Sequence, residues 1–441
     1  MTELNAVYGA RRQRLLDAMP NNSVALVLTG PEQVRSNDCD YHFRPNSDFY
    51  YLTGFEEPEA ALLLKKAEDE ATVTLFCRPK DTLREIWDGR RVGPDAAKER
   101  FAVDFTFEIA ELDQRMGEAL CDTDVVLLSQ LRQEEIAPMF ESWMAVVRAQ
   151  RKQGVRAPES RLDLDAVLAE QRLIKDAHEI ALMRTAAKIS ADAHSRAMAV
   201  TKPGIWEYQV EAEIKHEFAM NGARHEAYNS IVGSGENACI LHYVENNGQT
   251  QDGDLLLIDA GCEYQMYAAD ITRTFPVNGK FSEAQRAVYE VVLKAQEAAI
   301  DVIAPGVSYD RIHDTAVRIL TEGMVELGWL VGDVDELIET EAFKKYYMHG
   351  TGHWLGIDVH DVGDYRVAGE KTWRNLEAGM VLTVEPALYV AIDDETVDAK
   401  WRGIGVRIED DILVTDSGYE NLTADVPKSI DAIEALVGSR A

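Results

Sequence analysis

Asp259 closes the apolar run Leu255–Ile258, and Asp270 follows eleven residues later in the stretch Ala269-Asp270-Ile271-Thr272-Arg273-Thr274-Phe275. The run reads as a buried strand and the alternating stretch as its partner. A hairpin centred on Tyr264 and Gln265 would set Asp259 directly opposite Asp270, with Cβ atoms about 4.5–5.5 Å apart. Two carboxylates at the apolar end of a sheet repel each other and lose hydration. A pair of divalent cations would remove both penalties, since two-metal sites space their ions about 3.5–4 Å apart. The plainer reading of the pair alone is one solvated Asp beside one turn Asp.

A second set of strands carries similar residues. Val381–Val384 is apolar and ends in Glu385-Pro386, and Gly405–Val414 alternates with charge on one face. Arg407 and Glu409 are two apart, so on one strand they share a side, and a surface ion pair between them would explain both. Three of the ten histidines, His349, His353 and His360, fall within twelve residues among Gly350, Gly352 and Gly356 and beside Asp358 and Asp361. Glycine at that density suggests close backbone packing. His242 is isolated in Ile240-Leu241-His242-Tyr243, and by itself it reads as structural.

Helices must hold these strands in place. Asp176, with Glu179 three residues on, has the spacing of a capping box for a helix that ends at Lys202-Pro203-Gly204. Val210, Ile214 and Phe218 mark one face of the next helix, which stops at Gly222. The pattern returns about a hundred residues on. Ser282 and Gln285 open a helix ending at Pro305-Gly306, and Ile312, Leu320, Met324 and Leu327 stripe its successor. Each helix pair precedes strands with paired carboxylates, which reads as an internal duplication with a site between its halves. Residues 1–172 read as a separate mixed α/β unit. Its expected strands are Val24–Leu28, Ala60–Leu64, Thr72–Cys77 and Val125–Leu128, with a helix over Glu108–Leu120 and a long loop over Arg35–Gly54.

Composition bounds the partners. The chain has 441 residues, 46% hydrophobic and 28% charged, which is ordinary for a globular protein of two or three domains. A net charge of −32 repels phosphate backbones and anionic bilayers, so neither nucleic acid nor membrane is an expected partner. Five dispersed cysteines with no C-x-x-C spacing disfavour a disulfide framework or a cysteine zinc site. With no apolar leader run, the expected location is the cytoplasm.

In order along the chain, these residues resemble the pita-bread metallopeptidase family that includes aminopeptidase P, prolidase and methionine aminopeptidase. The family's metal ligands run Asp, Asp, His, Glu, Glu, and Asp259, Asp270, His353, Glu385 and Glu409 fill those positions at intervals of 11, 83, 32 and 24 residues. The duplication matches that fold's pseudo-two-fold symmetry. Residues 1–172, including Tyr50–Ala60 (YYLTGFEEPEA), resemble the creatinase-like N-terminal domain of aminopeptidase P. The resemblance implies an α/β N-terminal domain before an α+β pita-bread catalytic domain over residues 173–441.

It also implies a manganese-dependent aminopeptidase acting on peptides with proline in second position, with two Mn²⁺ per subunit and attack by a hydroxide bridging them. Hard, oxygen-rich ligands suit such ions. By the same resemblance Glu385 is the general base, His242 and His360 stabilise the tetrahedral intermediate, and His349 lines the substrate pocket. Arg407 would hold the substrate region through Tyr389 and Asp38. A homo-oligomer, a tetramer, is implied, assembled through the N-terminal domain and with Trp87 reaching a neighbour's site. The rivals are a prolidase restricted to Xaa-Pro dipeptides, a metal-free creatinase, and a non-catalytic binding protein. The last two would be expected to lack the ligands present here.

Overall fold

The structure is a computed structural model and describes residues 3–68 and 70–440. The chain forms two compact units, one ending at Gln171 and one beginning at Arg172.

The N-terminal unit is built on a mixed six-stranded sheet. Its strand order is Phe105–Glu108, Ala71–Cys77, Ala61–Lys66, Ser23–Leu28, Val125–Leu128, Ser160–Asp163. Ser23–Leu28 is buried at every position, as a central strand covered on both faces requires. Val24, Leu26 and Leu28 pack against Met116, Leu120, Trp143 and Val147 of the covering helices. Two expectations change. The helix expected over Glu108–Leu120 begins only at Leu112, because Phe105–Glu108 pairs in parallel with Thr74–Cys77 as an edge strand. The expected loop over Arg35–Gly54 contains a small hairpin and the helix Ser47–Thr53. The Asn46 side chain caps that helix by accepting from the Phe49 N–H, and its aromatic residues are buried.

The C-terminal unit repeats one plan. Helices Ala177–Val200 and Glu207–Met220 precede an antiparallel sheet of Ile231–Ser234, Leu255–Asp259 and Thr272–Pro276. Helices Glu283–Asp301 and Asp310–Glu326 precede a second sheet of Val381–Val384, Asp410–Thr415 and Gly418–Asn421. Capping boxes at Asp176/Glu179 and Ser282/Gln285 start the first helix of each pair. An isolated bridge between Thr272 and Glu409 joins the two sheets. Leu256, Ile258, Phe275, Val288, Val292 and Leu320 are buried in one core, where each such side chain contributes about 1.5–3 kcal/mol. This is the pita-bread arrangement.

Two local readings of the strands are corrected. The hairpin turns on Gln265 and Met266, both with positive φ, so Tyr264 pairs with Tyr267. That primed two-residue turn matches the twist of its flanking strands. The register moves, and Asp259 faces Thr272 rather than Asp270. The expected strand Gly405–Val414 is also broken. Gly405–Arg407 pairs with Ala387–Tyr389, whereas Asp410–Thr415 pairs with Val381–Val384. One segment serves two sheets, so the chain bends at Ile408-Glu409, where the Glu409 N–H donates to the Thr272 carbonyl.

The glycine- and histidine-rich segment is held by buried charge. Asp361 accepts from Arg172 at 2.6 Å and from Lys175 at 3.0 Å, and all three are buried. Burial works to raise the Asp361 carboxyl, but Lys175 and Arg172 outweigh it and hold it below its ordinary value. We predict that Asp361→Asn lowers unfolding free energy by about 3–5 kcal/mol, because it strands a buried ammonium. A depressed carboxyl contributes fully above its unfolded value of about 3.9 and loses that contribution as pH falls through its folded value. The gap between wild type and variant, measured by urea unfolding, should therefore narrow in acid. A gap that is constant with pH would contradict this.

Candidate active site

Strand ends and the bend place the carboxylates. Asp259 ends its strand, Asp270 precedes Thr272–Pro276, Glu385 follows Val381–Val384, and Glu409 sits at the bend. Together with His353 they line one cavity of about 490 Å³. His242, His349, His360, Arg407 and Tyr228 line it too.

Hydrogen bonds fix the geometry. His353 Nδ1 lies 3.0 Å from the Trp354 carbonyl, so a proton there leaves Nε2 as the lone pair facing the carboxylates. Nε2 lies 3.4 Å from Asp270 and 3.8 Å from Glu385. Thr272 Oγ1 donates to Glu409 at 2.6 Å. Arg407 donates to Asp259 at 2.5 Å and to the Tyr389 hydroxyl at 2.8 Å. Its ion partner is therefore Asp259, and Arg407 and Glu409 are both buried rather than a surface pair. The Tyr228 hydroxyl lies 2.6 Å from Asp259 and 2.5 Å from Asp270, one proton between two carboxylates.

The electrostatics favour cations. Burial raises the Asp270 carboxyl, and Asp259 adds to the effect. Burial pushes Glu385 up to about 7 against the pull of His353 and Arg407, and burial followed by Asp270 raises Glu409 well above the carboxylate range. Burial would lower the His353 imidazole, but Asp270 and Glu385 push it up to about 9. Carboxylates that draw a proton to an imidazole this way would also draw a divalent ion. Asp270, His353 and Glu409 each offer a donor atom, all within 4.8 Å of one another. Asp259 and Glu385 bound the same cavity, so the residues present fit a metal centre of hard ligands.

The remaining expected residues divide. His360 and His242 are exposed at the cavity, and the His360 ring packs edge-on to His353 at 4.3 Å. His349 bonds the Tyr389 hydroxyl at 3.1 Å. Tyr389 is buried behind the wall and touches Arg407 and His349. Asp38 and Trp87 belong to the N-terminal unit. Asp38 is exposed between the strands Val34–Ser36 and Cys39–Asp40, and Trp87 is 85% exposed on helix Thr82–Asp88.

Sequence reasoning missed the support around the ligands. Arg273 is fully buried and donates to Asp410 at 2.6 Å, to the Glu409 carbonyl at 2.6 Å and to the Thr272 carbonyl at 2.9 Å. Burial works to raise Asp410, but Arg273 and Lys428 hold it well below the usual carboxylate range. Asp411 accepts from the Asp270 N–H at 3.1 Å. The available signal was a lone Arg in the buried strand Thr272–Pro276 and two acids heading an apolar strand, since buried charges need partners.

The model of metallopeptidase family M24 matches residues 181–416, and that of the aminopeptidase P N-terminal domain matches residues 8–127. The chain belongs to metallopeptidase family M24. Within it, the chain is similar to the Xaa-Pro aminopeptidase of Escherichia coli, 50% identical over 98% of this chain and 97% of that relative. The solved structure of Pseudomonas aeruginosa aminopeptidase PepP matches with a TM-score of 0.96 at 50% identity, covering 98% of this chain and 97% of that one. A zinc-substituted Escherichia coli aminopeptidase P in complex with product also matches at 0.96, with 49% identity over 99% of both chains.

Tyr228 offers a test of the metal reading. Tyr228→Phe removes the hydroxyl shared by the carboxylates of Asp259 and Asp270 while keeping the ring. We predict a loss of about 10–100-fold in Mn²⁺ affinity, the usual cost of removing such a supporting hydrogen bond. Titration calorimetry checks it, and unchanged affinity would refute it.

Proposed function

We propose that this protein is an Xaa-Pro aminopeptidase that hydrolyses the first peptide bond of peptides with proline in second position. The observation carrying this reading is the cavity where Asp259, Asp270, His353, Glu385 and Glu409 converge, in a chain that matches Xaa-Pro aminopeptidases along nearly its whole length. Those five residues would hold two divalent ions, and four carboxylates suit Mn²⁺. Bound there, the ions would supply Lewis acidity toward water and the scissile carbonyl.

The chain's own groups do the rest. Glu385 lies at the cavity wall beside His353 and is placed to carry a proton from water to the leaving nitrogen. His242 and His360 reach into the cavity from exposed positions and can donate to a carbonyl oxygen as its charge grows. The Xaa-Pro bond has no N–H on its nitrogen, so selection must come from a shaped wall rather than a backbone hydrogen bond. His349 and Arg407, tied together through Tyr389, supply a fixed part of that wall. Asp259 is the contact that the family resemblance assigns to a free amino terminus, and it already accepts from Arg407 and Tyr228.

Arg407 also argues against the prolidase reading. A dipeptidase needs a cation for the carboxylate that follows proline. Arg407 is the guanidinium lining the cavity, and it is already committed to Asp259 and Tyr389.

One experiment tests the reading. Chelated protein should be inactive, and Mn²⁺ should restore activity better than Ca²⁺. The restored enzyme should cleave Gly-Pro-Ala at least as well as Gly-Pro, and Gly-Ala-Ala poorly. Glu409→Ala should abolish turnover while circular dichroism stays native. Full activity after chelation would overturn the metal centre, and a strong preference for Gly-Pro would favour prolidase.

We assign a homotetramer formed through the N-terminal unit, supported by Leu83, Ile86 and Trp87 exposed together on helix Thr82–Asp88. Trp87→Ala should lower the mass seen by light scattering, and a monomeric wild type with normal activity would reject the assignment. We place the protein in the cytoplasm. In support, its cysteines are unpaired, and no helix among the described residues is long and apolar enough to cross a membrane. Cell fractionation is the check.

A further inference from the structure

A second cavity of about 860 Å³ lies beside the first in the catalytic unit. The two share Gly350 and Gly352 as lining residues, so the segment Gly350–Gly352 forms the ridge between them. Packing explains one of these glycines: a Cβ on Gly352 would stand 2.0 Å from the Thr383 carbonyl oxygen. It does not explain Gly350. A Cβ there would meet nothing nearer than the Gly352 oxygen at 4.0 Å, and its φ lies outside the positive range. The ridge is bare at this point although the fold would accept a side chain. A bare crest between two cavities leaves room for an extended chain to cross.

The second cavity has a character of its own. Its floor is aromatic: Tyr309 and Trp373 stack at 6.0 Å, and Tyr365 packs edge-on to Tyr309 at 4.9 Å. Three carboxylates line it, Asp310, Asp314 and Asp364, with Asp314 and Asp364 exposed. Arg366 is the guanidinium lining it, and it stacks on Trp373 at 3.9 Å. Burial lowers the His313 imidazole, which bonds Thr351 Oγ1 at 2.8 Å, so it is neutral at neutral pH and adds no charge. Three anions against one cation over an aromatic surface suit an alkyl stem with a cationic head.

We propose that this cavity is a downstream subsite that takes a basic side chain, Lys or Arg, from the substrate beyond the residue following proline. The proposal rests on the aminopeptidase reading. The occupant is the peptide itself, crossing at Gly350, because the cavity adjoins the site through that bare crest and its charge complements a basic residue.

The test compares Gly-Pro-Ala-Xaa-Ala with Xaa as Lys or Glu at the fourth position, and the same pair at the fifth, in the Mn²⁺-loaded enzyme. At one of these positions kcat/KM should favour Lys by roughly threefold to tenfold, the effect of a few partly exposed charge contacts. The net charge of −32 could itself attract cationic peptides, so the double variant Asp314→Asn, Asp364→Asn separates the local effect from the global one. It should bring the Lys-to-Glu ratio close to one. Equal rates for Lys and Glu in the wild type, or a preference that survives in the double variant, would overturn the subsite. Gly-Pro-Ala hydrolysis keeps the two readings apart. If the tripeptide is not cleaved, the aminopeptidase reading fails; if it is cleaved without a charge preference in the longer peptides, only the subsite fails.

Discussion

Mutual repulsion among Asp259, Asp270, Glu385 and Glu409 is the constraint that the catalytic unit answers. Like charges gathered in a partly buried cavity repel one another and would drive the strands apart unless countered. The response is layered. Arg407 neutralises Asp259 from one side, and Tyr228 shares its proton between Asp259 and Asp270. Thr272 donates to Glu409. These groups lessen the penalty but leave the cavity anionic, which is the condition under which divalent ions bind and act.

Behind that layer stands a rigid clamp. Arg273 spans the strand carrying Thr272 and the bend carrying Glu409, and its guanidinium contacts four carbonyls and Asp410 in the interior. Gln296, Asn421, Thr423 and Lys428 complete the bonding of Asp410. Because every partner is buried or hydrogen-bonded, the pair fixes the separation of the two sheets rather than merely adding stability. The geometry of the candidate metal site thus depends on a charge pair that does not itself line the cavity.

The duplicated plan explains why a site forms at this place. Each half ends its strands at the same end of a sheet, and the bridge from Thr272 to Glu409 brings those ends together. Helix caps at Asp176 and Ser282 start corresponding helices that cover the sheets, so the acids project from a supported edge into the cavity. The histidine segment then closes one wall, held from behind by Asp361 with Arg172 and Lys175.

Much of this was legible in the residues. Capping boxes, helix stripes and apolar strand runs are local signals, and they placed the four long helices of the catalytic unit and its strands Leu255–Asp259, Thr272–Pro276 and Val381–Val384. The five candidate ligands were named from the family resemblance, by type, order and flanking motif, and the structure brings them to one cavity. The hairpin register was not legible, because it depended on Gln265 and Met266 adopting a left-handed turn that neither residue type announces. The break at Ile408-Glu409 was hidden for a related reason: alternation cannot reveal that one segment pairs with two sheets. Arg407 was expected beside Glu409 and is found on Asp259, and Arg273, a lone charge in a buried strand, did not reveal which acid it would meet. Ion partners are chosen by which strands meet in space. Sequence spacing records which residues share a face of one element; only the tertiary structure decides which faces come together.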